Sequence, residues 1–83
     1  MIEVEEIEQL ILAAMPQARV HVTDLTGTRD HYSVTVVAPE FEGTLPIKQH
    51  RMVNAALAAP LKSGALHALQ LTTLTPAEYD AQS

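Results

Sequence analysis

Residues 41–54 read Phe41-Glu42-Gly43-Thr44-Leu45-Pro46-Ile47-Lys48-Gln49-His50-Arg51-Met52-Val53-Asn54, and this stretch decides the fold. Phe41-Glu42-Gly43 predicts a turn, because glycine takes a positive φ without steric cost. Thr44 stands before a helix over residues 46–57. On a helical wheel Leu45, Met52, Val53, Ala56 and Leu57 share one face, while Lys48, Arg51, Asn54 and Ala55 lie outside it. His50 falls at the border of the apolar face, beside Leu57.

Upstream of this turn and helix, residues 32–38 hold the β-branched run Val34-Thr35-Val36-Val37, which has strong strand character until Pro39 interrupts it. Val20 and Val22 alternate with His21 and Thr23 in a strand over residues 19–24, and the polar stretch 25–30, with Gly27, joins the two as a hairpin loop. Before them, Val4, Ile7, Leu10, Ile11 and Ala14 recur at helical spacing. Glu3, Glu5, Glu6 and Glu8 load the first turns with negative charge that suits the helix dipole. This predicts an amphipathic helix over residues 3–14, ended by Met15-Pro16.

Downstream, Ala58-Ala59-Pro60 breaks the central helix, a short helical turn covers residues 61–63, and Gly64 is placed to cap it. From 67 to 73, Leu69 and Leu71 alternate with Ala68, Gln70 and Thr72 as in a strand with one face turned to helices, and His67 shares the leucine parity. Thr75-Pro76-Ala77-Glu78 combines an N-cap threonine, proline at the first helical position and a glutamate three residues after the cap, which starts a last short helix. The order is αββααβα. A hairpin whose second strand continues through two helices into a third strand sets that strand parallel to a neighbour. The expected fold is α+β, a three-stranded mixed sheet covered by helices on one face.

The chain has 83 residues, 47% of them hydrophobic, and shows no internal repeat or linker, so a single domain over 1–83 is expected. No apolar stretch approaches the ~20 residues of a membrane span, and the acidic N-terminus lacks the order of a signal peptide, so the expected location is cytoplasmic, with no membrane partner. The absence of cysteine removes disulfides, thiol nucleophiles, cysteine-type zinc sites and any thiolate of its own for an iron–sulfur cluster. A formal charge of −5 counts against general affinity for polyanions. No nucleophile motif or spaced carboxylate pair is marked out, so an enzyme is not expected.

The F-x-G turn at Phe41-Glu42-Gly43, the histidine of Gln49-His50-Arg51, Leu66-His67-Ala68 and the closing Thr75-Pro76-Ala77-Glu78-Tyr79 together resemble the BolA family over nearly the whole chain. The family usually has Arg-His-Arg where this chain has Gln49-His50-Arg51, and Trp in place of Tyr79. The resemblance implies a fold like the class II KH domain. It also implies an adaptor that forms a heterodimer with a monothiol glutaredoxin around a shared [2Fe-2S] cluster, serving iron sensing, redox sensing, cluster trafficking or cluster maturation. Glutaredoxin and glutathione would supply thiolates, this chain would supply histidine, and the isolated chain would carry no cluster.

On this resemblance His67, which matches the histidine of the family's I-H-A segment, is the cluster ligand. Taken bare, a histidine at the start of a strand is more often structural. Neutral imidazole binds iron, and in place of thiolate it raises a cluster's potential. His31, ending the hairpin loop before Tyr32, stands where related proteins carry a variable His or Cys, and is the second metal candidate beside the reading of an exposed loop histidine. His50 matches the family's helix histidine, with an orienting or packing role as the alternative. His21 reads as a surface residue without a role.

Some members of the family are described as transcriptional regulators, so a KH-like nucleic-acid-binding regulator is the second reading. KH domains clamp the nucleic-acid backbone with a G-x-x-G loop. None of Gly27, Gly43 and Gly64 has a glycine three residues away. Lys48, Arg51 and Lys62, with Arg29, are the positive charges available for a patch around the central helix, and Lys48 and Arg51 also read as a solvated helix face. DNA binding, if retained, should be weak.

Overall fold

The structure is a computed structural model that describes residues 2–25, 31–66 and 68–82, with Ala68 described through its backbone. Among these residues the elements run α1 (Val4–Ala14), β1 (Arg19–Asp24), β2 (His31–Val37), a 3₁₀ turn (Pro39–Phe41), α2 (Pro46–Ala56), α3 (Ala58–Ser63), β3 (Ala68–Leu74) and α4 (Pro76–Gln82). The fold is α+β, in the order expected. Several boundaries shift by one residue: α1 begins at Val4, β2 runs from His31 to Val37 rather than over 32–38, α2 ends at Ala56 and β3 ends at Leu74, while α3 is a full helix where only a turn at 61–63 was expected.

The sheet has strand order β1-β2-β3, with β2 in the centre. β1 pairs antiparallel to β2, Arg19 opposite Val37 and Asp24 opposite Tyr32. β3 pairs parallel to β2, from His31 opposite Ala68 to Val37 opposite Leu74. Side chains alternate between faces along a strand, so Tyr32, Val34 and Val36, all buried, point to the helix-covered face. There they join Ile7 and Ile11 of α1, Val53 of α2, and Phe41, Leu57 and Leu66 in one core. The opposite face is polar over most of its length, with Arg19, His21 and Thr23 of β1, Ser33 and Thr35 of β2, and Gln70 and Thr72 of β3, while Val37 and Leu74 at its end are buried. A polar residue at every second position is the pattern of a sheet wet on one side.

Three local devices hold this arrangement. The Tyr32 hydroxyl donates to the Ile2 carbonyl at 2.6 Å in the buried interior, tying the chain ahead of α1 to the central strand. Gly43 has φ +73° and Gly64 φ +83°, so both predicted turns use the left-handed conformation that favours glycine. At α4 the Glu78 N–H donates to Thr75 Oγ1 at 3.2 Å and the Thr75 N–H donates to Glu78 Oε1 at 2.9 Å, the reciprocal capping box read in the sequence.

The central helix departs from expectation in its facing. Its buried line is Gln49, Val53 and Leu57, not a face that includes Leu45, which is 72% exposed. Leu45 is extended (φ −63°, ψ 147°) at the N-cap, so the helical phase starts after it and a wheel that includes it is misaligned. Gln49 lies 5% exposed because Nε2 donates to the Phe41 carbonyl at 3.2 Å and to the Thr44 carbonyl at 2.7 Å. A polar side chain is buried once its donors are satisfied, and here it closes the F-x-G turn onto the helix. His50, one residue on from Gln49 and close to Leu57 on the helical wheel, is exposed.

Candidate functional site

The three described histidines stand on three different elements. His21 lies on β1, His31 opens β2 and His50 lies on the exposed side of α2. Among the described residues no three His, Asp or Glu side chains are grouped to hold a metal ion.

His31 is half-buried and sits at the edge where the hairpin closes, the Leu25 N–H donating to its carbonyl at 2.9 Å. Its ladder partner is Ala68, the residue that follows His67 in sequence. His67 itself lies outside the described residues, as does Arg29. The neighbours of His67 in the chain are held: Leu66 is buried in the core and its N–H donates to the Pro60 carbonyl at 3.1 Å, and Ala68 begins the parallel ladder. His31 and the start of β3 are thus brought together by strand pairing, a relation that sequence spacing alone does not contain.

Lys48 and Arg51 are exposed on α2 and Lys62 on α3. Beside the first two, Ile47 is 62% exposed. Ile47 and the two basic residues lie on the outer side of the central helix, and Leu45 is exposed at its N-cap.

One contact was not foreseen. Tyr79 of α4 stacks on His21, the ring centroids 5.9 Å apart and the planes inclined by 16°. His21 belongs to the polar face of the sheet, so α4 reaches that face, and a cleft of about 240 Å³ opens beside it between Arg19, Val37, Pro39, Pro76 and Tyr79. The signal in the sequence was the parity of His21 together with the aromatic residue closing the Thr-Pro-x-Glu motif; neither by itself indicates a contact.

Residues 7–78 match the family model for BolA, described as BolA-like protein. Uncharacterized protein RP812 of Rickettsia prowazekii is 32% identical over 74 residues, which cover 89% of this chain and 95% of that one. The DNA-binding transcriptional regulator BolA of Vibrio cholerae is 42% identical over 53 residues, 64% of this chain and 49% of that protein. Several curated relatives called BolA-like are also longer, the chain spanning 38% to 51% of their lengths. Among solved structures, BolA1 from Arabidopsis thaliana superposes with a TM-score of 0.82 at 28% identity, covering 93% of this chain and 98% of that one.

Proposed function

The chain belongs to the BolA family, and from that premise we propose that it is an adaptor pairing with a monothiol glutaredoxin to hold a shared [2Fe-2S] cluster, in iron–sulfur trafficking and maturation or in iron and redox sensing. The observation that supports this reading is the pairing of His31 with Ala68, which gathers an imidazole at the sheet end where the Leu66-His67-Ala68 segment enters. The donor chemistry agrees with a shared site. A chain without cysteine has no thiolate of its own, so on this reading the thiolates would come from the partner and from glutathione and this chain would offer imidazole. His67 would be the ligand, and His31 would adjust or complete the contact. When bound, the cluster supplies one-electron chemistry and an exchangeable iron–sulfur unit, with histidine ligation raising its potential. This chain's part would be to present imidazole and to carry the surface that meets the partner.

The test is to mix the protein with a monothiol glutaredoxin, glutathione, iron and sulfide, and to compare visible absorption and circular dichroism with those of glutaredoxin alone. A distinct spectrum in a heterodimeric fraction supports the adaptor. The isolated chain should stay colourless under the same reconstitution, and a stoichiometric cluster stable to chromatography on it alone sinks the proposal.

A second reading, a DNA-binding regulator, is favoured by the exposed Lys48 and Arg51 on α2 and by the similarity to the Vibrio cholerae regulator. The charge of −5 and the lack of a G-x-x-G loop place it second.

A further inference from the structure

We propose that the outer edge of β3 docks β3 of a second copy of this chain, antiparallel, in a weak twofold dimer with one continuous sheet. β3 is an outer strand, and among the described residues it is paired on its β2 side alone. The Leu74 carbonyl accepts the Ala38 N–H at 3.1 Å, so it points towards β2. Backbone groups alternate between the two edges of a strand, which turns the N–H and C=O groups of Leu69, Leu71 and Thr73 outwards. Among the described residues no hydrogen bond reaches these outward groups. The helix that follows leaves this edge: α4 crosses the polar face to β1, where Tyr79 stacks on His21.

Outer strands are commonly guarded by charge, proline or a bulge. At the opposite edge β1 carries Arg19 and Asp24 at its ends. β3 reads Ala68-Leu69-Gln70-Leu71-Thr72-Thr73-Leu74, without a charge or a proline, and its ladder to β2 runs without a bulge. Leu69, Leu71 and Thr73 stand beside Tyr32, Val34 and Val36 in that ladder and share the helix-covered face. Leu69 and Leu71 pack against the core there but are only half-buried.

The occupant is a second copy because β3 complements itself. A twofold axis at Leu71, perpendicular to the sheet, pairs Leu71 with Leu71 of the second copy and Leu69 with Thr73. In each pair the outward N–H of one copy donates to the outward C=O of the other. The half-buried Leu71 side chains then cover one another on the helix side, and Gln70 meets Thr72 on the polar side. Each copy carries a net charge of −5, yet this strand brings no charged groups together, so the repulsion is only long-range. A strand of 7 residues, about 23 Å long, buries less than the roughly 800 Å² per partner of a stable complex, which makes the dimer weak.

Sedimentation equilibrium of the full chain between ~10 μM and ~1 mM tests the proposal, and we expect a monomer–dimer equilibrium. Gln70 and Thr72 are exposed, so both accept charge without loss of the core. Gln70→Lys/Thr72→Lys sets like charges opposite each other between copies and should weaken the dimer about tenfold, although each copy is then less negative. Gln70→Lys/Thr72→Glu sets opposite charges against each other in the same register and should recover it. Far-ultraviolet circular dichroism establishes that each variant is folded. In the wild type, exchange of the Leu69, Leu71 and Thr73 amides should slow as concentration rises, while that of Ile7 in α1 stays constant. A chain that is monomeric up to the highest concentration, a dimer equally stable in both double variants, or outward amides whose exchange ignores concentration overturns the proposal.

Discussion

Gln49 donates from Nε2 to the Thr44 carbonyl at 2.7 Å, and through that bond a polar residue holds the start of the central helix against the turn before it. The second bond of the same nitrogen, to the Phe41 carbonyl, is less critical, since that carbonyl also accepts the Thr44 N–H at 3.0 Å. The side chain thus acts where the family's usual arginine would stand, as a buried clamp rather than as a charge.

Gln49→Ala should lower unfolding free energy by ~1–3 kcal/mol, because it leaves the Thr44 carbonyl without its donor and opens a void under α2. Gln49→Leu fills the void but still strands the carbonyl, so it should recover only part of the loss. Urea unfolding checks both; an unchanged midpoint in the alanine variant refutes the clamp.

Tyr32→Phe should cost about 1–2 kcal/mol, because the hydroxyl's bond to the Ile2 carbonyl is buried and no water replaces it readily. The loss should also loosen the residues ahead of α1. Amide exchange at Glu6 and Ile7, whose N–H groups donate to the Glu3 carbonyl, reports this directly; unaltered exchange there would show that the tie does not restrain the helix.

The order of elements was legible because each rests on a local cause: the Val34–Val37 run, the proline after Met15, the glycines at 43 and 64, and the Thr75–Glu78 capping box. The facing of α2 was not, because a wheel counts Leu45 as apolar and Gln49 as polar. It has no means of knowing that the first is extended and the second is satisfied by two carbonyls. The approach of His31 to the start of β3 was likewise hidden, since parallel pairing joins residues far apart in sequence and its register is fixed by the packed core. The Tyr79–His21 stack was hidden for the same reason.

Tyr79→Ala should detach α4 while leaving the sheet folded. No residue of α4 is fully buried, and the half-buried tyrosine stacked on His21 is its aromatic contact with the sheet. Exchange of the α4 amides should rise by an order of magnitude or more, with a shift of the global unfolding midpoint equivalent to under ~1 kcal/mol. Loss of cooperative unfolding in this variant would mean that α4 belongs to the core unit.

Binding to duplex DNA at ~150 mM salt should be weak and should fall steeply as salt rises, because the few phosphate contacts open to Lys48, Arg51 and Lys62 act mainly by counterion release. Fluorescence anisotropy of labelled duplexes across a salt series, for the wild type and a Lys48→Ala/Arg51→Ala variant, measures it. Nanomolar binding of one promoter sequence, well above scrambled duplex and lost in the variant, would displace the adaptor reading in favour of the regulator.

Histidine substitution separates the two metal candidates. His67→Ala should abolish the mixed-cluster spectrum formed with glutaredoxin and leave the fold intact, since the ligand is lost and the imidazole has no thiolate to replace it. His31→Ala should preserve the cluster but change its circular dichroism or speed its loss to a chelator, because the residue stands beside Ala68 on the neighbouring strand and affects the site from there. His50→Ala, on the exposed side of α2, serves as the comparison and should alter neither. Identical spectra and lability in the His67 and His31 variants and the wild type would reject the assignment of the ligand to this end of the sheet, whereas a cluster lost only in His50→Ala would move it to the helix.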